Sequence, residues 1–438
     1  MIKLPDEIAQ IIKTIEDAGF EAYAVGGCVR DSILGRHPED WDLTSNASRD
    51  ILEALFPNAQ IVNKKLGVMR VFRGEVTADI AAYRIDGEYK DYRRPETVIF
   101  TEDINEDLKR RDFTMNAIAV SPARGVVDPF DGSEDIRRKL IRGIGDPRLR
   151  FEEDALRILR AVRFAAQLDF EIDAETLRAM KERAELLEHI STERIREEFT
   201  KTVTAGSSGK GLVLYMKAGL LPYILGKGCG ENAANIELER LESLAANIDR
   251  SSPEPVFRIA LVYQCFQEER ALCAIDRLGY SNEMKKLLQY AVSLSAELEE
   301  IRDKLELKRF LERIGPVHYR YLTELSEQRC RVFAGEEKNR HTEFRQNELR
   351  HRASLLKEIQ DNREPVFPDD LAVNGNDLKE LGIKEGVEIG RLLKYLLDTV
   401  HQFPEQNDKC LLMSMAAGKL QANSGKRPGQ ADLDYVGG

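Results

Sequence analysis

Residues 22–31 read AYAVGGCVRD and residues 40–42 read DWD, and these two stretches decide how the first part of the chain folds. The apolar run from Ala22 to Val25 predicts a short strand, which breaks at a double glycine before the helix-like residues 29–34. A strand, a double glycine and a helix start present backbone amides to a phosphate group. Because side chains two apart on a strand share a face, Asp40 and Asp42 can bind the same metal ions. The two stretches therefore predict a phosphate site beside a magnesium site.

A second acidic strand follows these motifs. Residues 76–84 read VTADIAAYR and are predicted to pair with residues 68–72 across the turn Arg73-Gly74-Glu75. Asp79 is then a candidate third carboxylate, and a solvated charge at a sheet edge is the alternative that the pattern leaves open. Beyond Pro147 the chain reads as helical, and the pattern from Phe151 to Leu168 predicts one long helix.

Length and composition limit the class of protein. The 438 residues allow two to four domains. No apolar run approaches the ~18 residues of a membrane span, and the start of the chain is no signal peptide. The six cysteines form no Cys-x-x-Cys pair, so we expect a reduced protein without structural zinc. The lack of an apolar span and of a signal peptide predicts a cytoplasmic protein without membrane contact. The net charge of −11 is unexpected for a nucleic-acid binder, although basic clusters such as Lys109-Arg110-Arg111 stand out locally.

Four motifs in one order resemble the class II tRNA nucleotidyltransferase and bacterial poly(A) polymerase family, and the likeness to bacterial CCA-adding enzymes is the closest. They read GGxVRD at 26–31, LGRxPxDxD at 34–42, RRDFxxNA at 110–117 and EDxxRxxRxxR at 153–163. The motifs cover roughly the first 200 residues, and the rest of the likeness is one of helical character and length.

The resemblance implies an α+β fold. An N-terminal nucleotidyltransferase head with a small mixed or antiparallel sheet would precede all-α neck, body and tail domains. Their expected bounds are 1–145 for the catalytic head, 146–205 for a base-recognising neck, and 206–315 and 316–420 for a body and a tail that bind tRNA. Residues 421–438 are predicted to be disordered.

The resemblance also implies roles for individual residues. Asp40 and Asp42 would be catalytic and would hold Mg²⁺, with two ions in the mechanism. The nucleotide-binding set would be the backbone of Gly27, the triphosphate-neutralising Arg30, Arg111, Arg160 and Arg163, the ribose-facing Asp112 and Asn116, and the base-reading Asp154 and Arg157. Supporting roles would fall to Asp79, Glu153 and Glu198.

Asp154 and Arg157 could select two bases with one site. On a continuous helix, residues three apart are neighbours on one face. A carboxylate accepts from the exocyclic amine that cytosine and adenine share, and a guanidinium donates to their ring nitrogen. Uracil and guanine would place a carbonyl oxygen against the carboxylate. The alternative is an exposed ion pair worth a few tenths of a kcal/mol.

The expected activity is addition of CCA to the 3′ end of tRNA from CTP and ATP, without a nucleic-acid template and with release of pyrophosphate. The expected partners are tRNA, CTP and ATP, and a homodimer is left open. A poly(A) polymerase or an enzyme adding only A or only CC are alternatives, and the full polar loop at 84–95 speaks against CC addition alone. A non-catalytic RNA-binding protein is an alternative of another class, against which the intact Asp40 and Asp42 argue.

Overall fold

The computed structural model describes residues 3–38, 40–63, 67–87, 97–226, 235–333, 339–383 and 386–424. The chain forms two compact units, Met1–Gln289 and Tyr290–Gly438. Residues 88–95, most of the predicted polar loop, lie outside the described residues. Among the helices that are described, none is both long and apolar enough to cross a membrane.

The first unit contains the sheets. Its strands are β1 (Ala22–Val25), β2 (Trp41–Ser45), β3 (Gln60–Asn63), β4 (Val68–Arg73), β5 (Val76–Ala82), β6 (Arg84–Asp86), β7 (Val98–Phe100), β8 (Ala119–Ser121), β9 (Gly125–Val127), β10 (Leu140–Ile141) and β11 (Glu171–Ile172). Seven of them form one sheet in the order β3-β4-β5-β2-β1-β8-β9. Only β2 and β5 pair in parallel within this sheet. The prediction of a small mixed sheet at the N-terminus is confirmed.

Strand burial explains how the acidic residues come to the surface. All four residues of β1 are buried, because the strand lies between β2 and β8 in the interior of the sheet. In β2, Trp41 and Leu43 are buried while Asp42 between them is exposed, as alternation along a strand requires. The β4–β5 hairpin forms as predicted and pairs Arg73 with Val76 at its turn. The parallel register then sets Asp42 directly beside Asp79.

Helices make up the rest of the first unit. They are α1 (Asp6–Asp17), α2 (Gly27–Ile33), α3 (Arg49–Leu55), α4 (Ile104–Lys109), α5 (Gly132–Arg137), α6 (Pro147–Glu153), α7 (Leu156–Leu168), α8 (Ala174–Glu182), α9 (Thr192–Val203), α10 (Ser208–Lys217), α11 (Leu221–Leu225), α12 (Asn235–Ala245), α13 (Pro255–Tyr263), α14 (Glu268–Arg277) and α15 (Asn282–Ser293), within which the division between the units falls. Helix α7 is the most buried of those next to the sheet region, with ten of its 13 residues in the interior.

The second unit is helical throughout its described residues. It contains α16 (Ser295–Glu300), α17 (Lys304–Val332), α18 (Asn339–Asp361), α19 (Gly375–Lys379), α20 (Val387–Gln402) and α21 (Lys409–Ser424). Its core gathers leucines such as Leu378 and Leu396 from α19 and α20. Because α21 continues to Ser424, the predicted disorder from residue 421 begins too early, and residues 425–438 lie outside the described part. The α+β class is confirmed, whereas the division into four domains stays a prediction.

The predicted helix from Phe151 to Leu168 was wrong in one respect. The chain leaves the helical conformation at Asp154, whose φ of −139° and ψ of 101° are extended, so that α6 ends before it and α7 begins after it. The Asp154 carboxylate accepts a hydrogen bond from the Leu156 amide at 3.1 Å. Aspartate favours such a capping position, and this preference overrides the helical periodicity of its neighbours.

The prediction of a reduced chain was wrong, because one of the described cysteines forms a disulfide. Cys273 is disulfide-bonded, whereas Cys28, Cys265, Cys330 and Cys410 are free thiols. A disulfide needs only that two cysteine Cα atoms approach to about 4.4–6.8 Å, and spacing along the sequence does not reveal this distance.

Candidate active site

Three carboxylates share one region of the seven-stranded sheet. Asp42 lies beside Asp79, and Asp40 precedes β2 by one residue on the same exposed side. Although part of the Asp42 side chain reaches solvent, desolvation by surrounding atoms raises its pKa, Arg111 lowers it, and Asp79 and Asp40 raise it further. The net shift is upward, because desolvation and the two neighbouring carboxylates together outweigh the effect of Arg111. Clustered carboxylate oxygens are the ligands that Mg²⁺ prefers, and the residues therefore fit that ion.

Asp79 has a second partner that the sequence did not indicate. Arg70 on β4 donates hydrogen bonds to both Asp79 oxygens, from Nε to Oδ1 at 2.7 Å and from Nη2 to Oδ2 at 2.8 Å. This contact raises the pKa of Arg70. Asp79 stands beside Asp42, and an arginine already matches its charge. Because β5 lies between β4 and β2, Asp79 is not at a sheet edge, and its role in the site stays a prediction.

The double glycine faces the same carboxylate. Gly26 has a φ of 86°, a conformation that glycine adopts without strain. A Cβ atom at Gly26 would stand 3.2 Å from Arg111 Nη1 and 3.9 Å from Asp42 Oδ2. At Gly27, which begins α2, a Cβ atom would stand 3.6 Å from Arg30 Nη2. The first three sequence motifs therefore meet at one point, and the absence of side chains at both glycines keeps this point open.

Arg111 is held by a residue that the sequence analysis missed. Asp107 on α4 is fully buried and accepts hydrogen bonds from Arg110 Nη2 at 2.7 Å and Arg111 Nη2 at 3.3 Å. Burial alone would raise the pKa of Asp107, yet the two guanidinium groups hold it below its ordinary value. The spacing of three and four residues between Asp107 and the two arginines was the available signal, because it is the spacing of ion pairs on a helix.

A buried chain of polar contacts joins four of the predicted nucleotide-binding residues. Arg30 Nη1 donates to Asn116 Oδ1 at 2.8 Å, Asn116 Nδ2 donates to Asp112 Oδ1 at 3.0 Å, and Arg160 Nε donates to Asp112 Oδ2 at 2.9 Å. Arg30 also pairs with its neighbour Asp31. Burial would raise the pKa of Asp112, but Arg160 and Asn116 hold it well below its usual range. Asp112 is therefore an anion, and contact of Asp112 and Asn116 with a ribose stays a prediction.

Arg163 completes the row of arginines on α7. Its Nε lies 3.1 Å from Glu198 Oε2, which comes from α9 and is buried. Burial lowers the pKa of Arg163, and the charge of Glu198 opposes this shift. The contact sets Glu198 next to a nucleotide-binding candidate, and its supporting role stays a prediction.

The side chains of Asp154 and Arg157 have different partners, although the Arg157 amide donates to the Asp154 carbonyl at 3.0 Å. Arg194 Nη2 and Nη1 lie 3.3 and 3.4 Å from the two Asp154 oxygens. Arg157 Nη1 donates to Glu153 Oε2 at 2.9 Å, and its Nη2 donates to the backbone carbonyl of Arg110 at 2.8 Å. Glu153 thus holds Arg157, and a supporting role for Glu153 in the site stays a prediction. The break at Asp154 separates the two side chains, so their premise as helical neighbours was wrong, while base reading by each of them stays a prediction.

A different group of side chains meets the geometric condition for a metal site. Within the described residues, Glu312, Asp398 and His401 are the only three whose ligand atoms lie within 4.8 Å of one another. Lys394 Nζ stands 2.6 and 2.8 Å from the Glu312 oxygens and 3.1 Å from Asp398. The lysine ammonium thus supplies the cation for this group, which belongs to the second unit and has no predicted catalytic residue in it.

Two family descriptions match the first unit. "Poly A polymerase head domain" matches residues 22–142, and "Probable RNA and SrmB- binding site of polymerase A" matches residues 169–227. The chain is 47% identical over 202 residues to a CCA-adding enzyme of Lactobacillus helveticus (strain DPC 4571), which covers 45% of this chain and 51% of that enzyme. It is 42% identical over 220 residues to a CCA-adding enzyme of Geobacillus stearothermophilus, over 50% of this chain and 54% of that enzyme. The chain thus spans about half the length of the curated relatives that it matches.

Solved structures resemble nearly the whole chain. The Bacillus stearothermophilus CCA-adding enzyme in complex with CTP is 28% identical, with a TM-score of 0.71 over 96% of this chain and 98% of that one. The Thermotoga maritima CCA-adding enzyme complexed with tRNA has a TM-score of 0.59 over 95% and 96% of the two chains, and at 21% identity it shows the fold alone. The motifs and the sheet agree with these matches: residues 22–142 match the poly(A) polymerase head domain, and the chain resembles CCA-adding enzymes in sequence and fold.

Proposed function

We propose that this protein adds C, C and A in turn to the 3′ end of tRNA, using CTP and ATP and no nucleic-acid template. One observation carries the proposal: the Gly26 backbone, Arg111 and the Asp42 carboxylate converge within 4 Å of a single point. An amide-rich turn, a guanidinium and a metal-binding carboxylate are the parts that phosphoryl transfer to a hydroxyl requires. The likeness to CCA-adding enzymes selects the substrate class.

In this proposal each part of the reaction falls to residues near this point. Asp40 and Asp42 would hold Mg²⁺, which when bound supplies positive charge beside the reacting phosphate and helps to activate the hydroxyl. The RNA 3′ hydroxyl loses its proton to a nearby carboxylate, and its oxygen bonds to the α-phosphorus. The bond from that phosphorus to the bridging oxygen breaks, and pyrophosphate leaves. Arg111 neutralises charge on the phosphates from one side, because Asp107 fixes its guanidinium beside Asp42.

Arg30, Arg160 and Arg163 extend the positive surface toward α7. Each is buried or partly buried and anchored to a carboxylate, so its position is fixed before a nucleotide arrives. Preformed donors cost no reorganisation when the ligand binds. The triphosphate would therefore lie between the double glycine and this row.

Base choice would fall to Asp154 and Arg157. The carboxylate accepts a hydrogen bond from the amine of cytosine or adenine, and the guanidinium donates one to the ring nitrogen. Arg194 holds Asp154 while Glu153 and the Arg110 carbonyl hold Arg157, so the two groups are fixed independently. Rejection of uracil and guanine then rests on buried polar groups left without partners.

The test is the product made from a tRNA transcript that lacks its 3′ end. With CTP, ATP and Mg²⁺ we expect three added nucleotides and then a halt on a sequencing gel. Long tails made from ATP alone on any RNA would indicate a poly(A) polymerase. Absence of any incorporation by folded protein that binds tRNA would refute the proposal and favour a non-catalytic RNA-binding protein.

A further inference from the structure

Three arginines from two different helices surround one aromatic ring. The guanidinium carbons of Arg30, Arg160 and Arg163 lie 5.1, 5.3 and 4.4 Å from the centre of the Phe164 ring. All three distances are within the ~6 Å at which a cation is attracted to the negative face of an aromatic ring. The Phe164 side chain is only 6% exposed, so this attraction acts with little solvent around it.

The three arginines carry like charges and repel one another, so an attractive contact is needed to keep them together. All three charges lie within 5.3 Å of one point, and repulsion at this range is poorly screened because the Debye length is about 10 Å in 0.1 M salt. Their carboxylate partners come from different parts of the chain: Asp31 for Arg30, Asp112 for Arg160 and Glu198 for Arg163. Among these carboxylate and ring contacts of the described residues, only the Phe164 ring is shared by all three arginines.

Phe164 is itself fixed in place. Its ring meets Phe113 edge to face, with the centroids 5.9 Å apart and the planes at 88°. Phe113 is fully buried and belongs to the motif at 110–117, while Arg30 belongs to the motif at 26–31. The ring thus ties α7 to two other motifs of the site. In the sequence, Phe164 directly follows the last arginine of the motif at 153–163, and the sequence analysis did not single it out.

We propose that Phe164 is a positioning residue that holds Arg30, Arg160 and Arg163 in the arrangement that receives the triphosphate. The inference rests on the proposed function and deepens it, because it assigns the ring to the phosphates and not to the base or the tRNA. Its effect on affinity must then grow with the number of phosphates. A residue that merely fills the core would weaken all nucleotides by the same factor.

Fluorination of the ring tests this without a change of shape. Phenylalanine analogues with one, two or three fluorine atoms at position 164 draw electron density from the ring face and weaken its attraction for cations stepwise. Equilibrium binding of CTP, CDP and CMP is measured with Mg²⁺ and without tRNA. We expect the CTP dissociation constant to rise with each fluorine, reaching about tenfold, with CDP intermediate and CMP within about twofold. Phe164→Leu, which lacks the ring, should match or exceed the largest effect on CTP.

Phe199 provides the matched control. It is equally buried, but its ring packs against Tyr215 and Tyr263 instead. The same analogues at position 199 should leave the three affinities unchanged. The inference is overturned if fluorination at Phe164 has no effect on CTP, if CTP and CMP weaken equally, or if the Phe199 series behaves identically. If the unmodified protein binds CTP but fluorination at position 164 leaves the CTP dissociation constant unchanged, only this inference fails. When it binds no CTP, the proposed function fails with it.

Discussion

Replacing Asp154 by alanine should make the protein less selective among the four nucleotides. Uracil differs from cytosine at two Watson–Crick positions, an oxygen in place of the amine and an N–H in place of the ring acceptor. Each buried polar group left unpaired costs about 1–3 kcal/mol. Removing the carboxylate abolishes the first penalty and leaves the second, opposite Arg157. The preference for CTP over UTP should then fall by about 5- to 150-fold.

Arg194, which pairs with Asp154, should have a smaller effect on the preference for CTP over UTP. The Arg194 nitrogens stand 3.3 and 3.4 Å from the Asp154 oxygens, and the two side chains are 24% and 19% exposed. A long, partly solvated ion pair contributes about 0.5–1 kcal/mol. Arg194→Ala should therefore reduce the same preference only about 2- to 5-fold. Arg157→Ala should act as strongly as Asp154→Ala, because its guanidinium is buried and fixed by Glu153.

The measurement is kcat/KM for each of the four nucleotides on tRNA lacking its end. Arg183→Ala is the control, since it removes an ion pair with Glu152 of 2.7 Å that involves neither base-reading residue. It should leave the preference unchanged. The reasoning is refuted if Asp154→Ala lowers kcat/KM for all four nucleotides by the same factor, because the carboxylate would then support the structure and not read the base.

Three further outcomes follow from the carboxylates. Asp42→Ala should abolish incorporation of CTP and ATP while tRNA binding, measured by filter retention, stays near wild type; turnover with Mg²⁺ would contradict the assignment. Mg²⁺ binding should weaken as the pH falls through the raised pKa of Asp42, and Asp79→Asn, which removes one of the charges that raise it, should move the midpoint of a Mg²⁺ titration series to lower pH. Asp107→Asn should lower the free energy of unfolding by about 3 kcal/mol at neutral pH, measured in urea, because it removes the buried carboxylate charge that pairs with the partly buried Arg110 and Arg111. Since the folded pKa of Asp107 is lowered, its contribution is present above the unfolded pKa and is lost as the pH falls, so the wild type and this variant should converge in acid.

Local patterns predicted the parts of the site that short stretches of chain determine. The strand from Ala22 to Val25 and the hairpin around Gly74 form as predicted, because apolar alternation and turn residues act over a few positions. The register that sets Asp42 beside Asp79 could not be predicted, since it depends on the pairing of strands that are far apart in the sequence. The conclusion that Asp79 is one of several acids at the site could therefore only be left open.

The errors at Asp154 and Arg157 have two causes, one local and one of long range. Periodicity favoured a continuous helix through Asp154, but one side-chain cap to Leu156 was enough to break it. The partner of Asp154 is 40 residues away at Arg194, and the carbonyl that holds Arg157 is 47 residues away at Arg110. No spacing rule connects such positions. A motif in the sequence thus identified the residues near the site but not the geometry that holds them.

The pairing of the arginines bears on the acidic character of the chain. Every arginine proposed to face the triphosphate already has a carboxylate partner. The pairs are Arg30 with Asp31, Arg111 with Asp107, Arg160 with Asp112 and Arg163 with Glu198. A net charge of −11 is therefore compatible with a phosphate site, because the positive charge is local and held in place by part of the acidic excess. An isolated phosphate gains little from guanidinium groups that are already paired, whereas a triphosphate can contact several of them at once. The arrangement should discriminate against simple anions, which binding of inorganic phosphate and CTP in the same titration would measure.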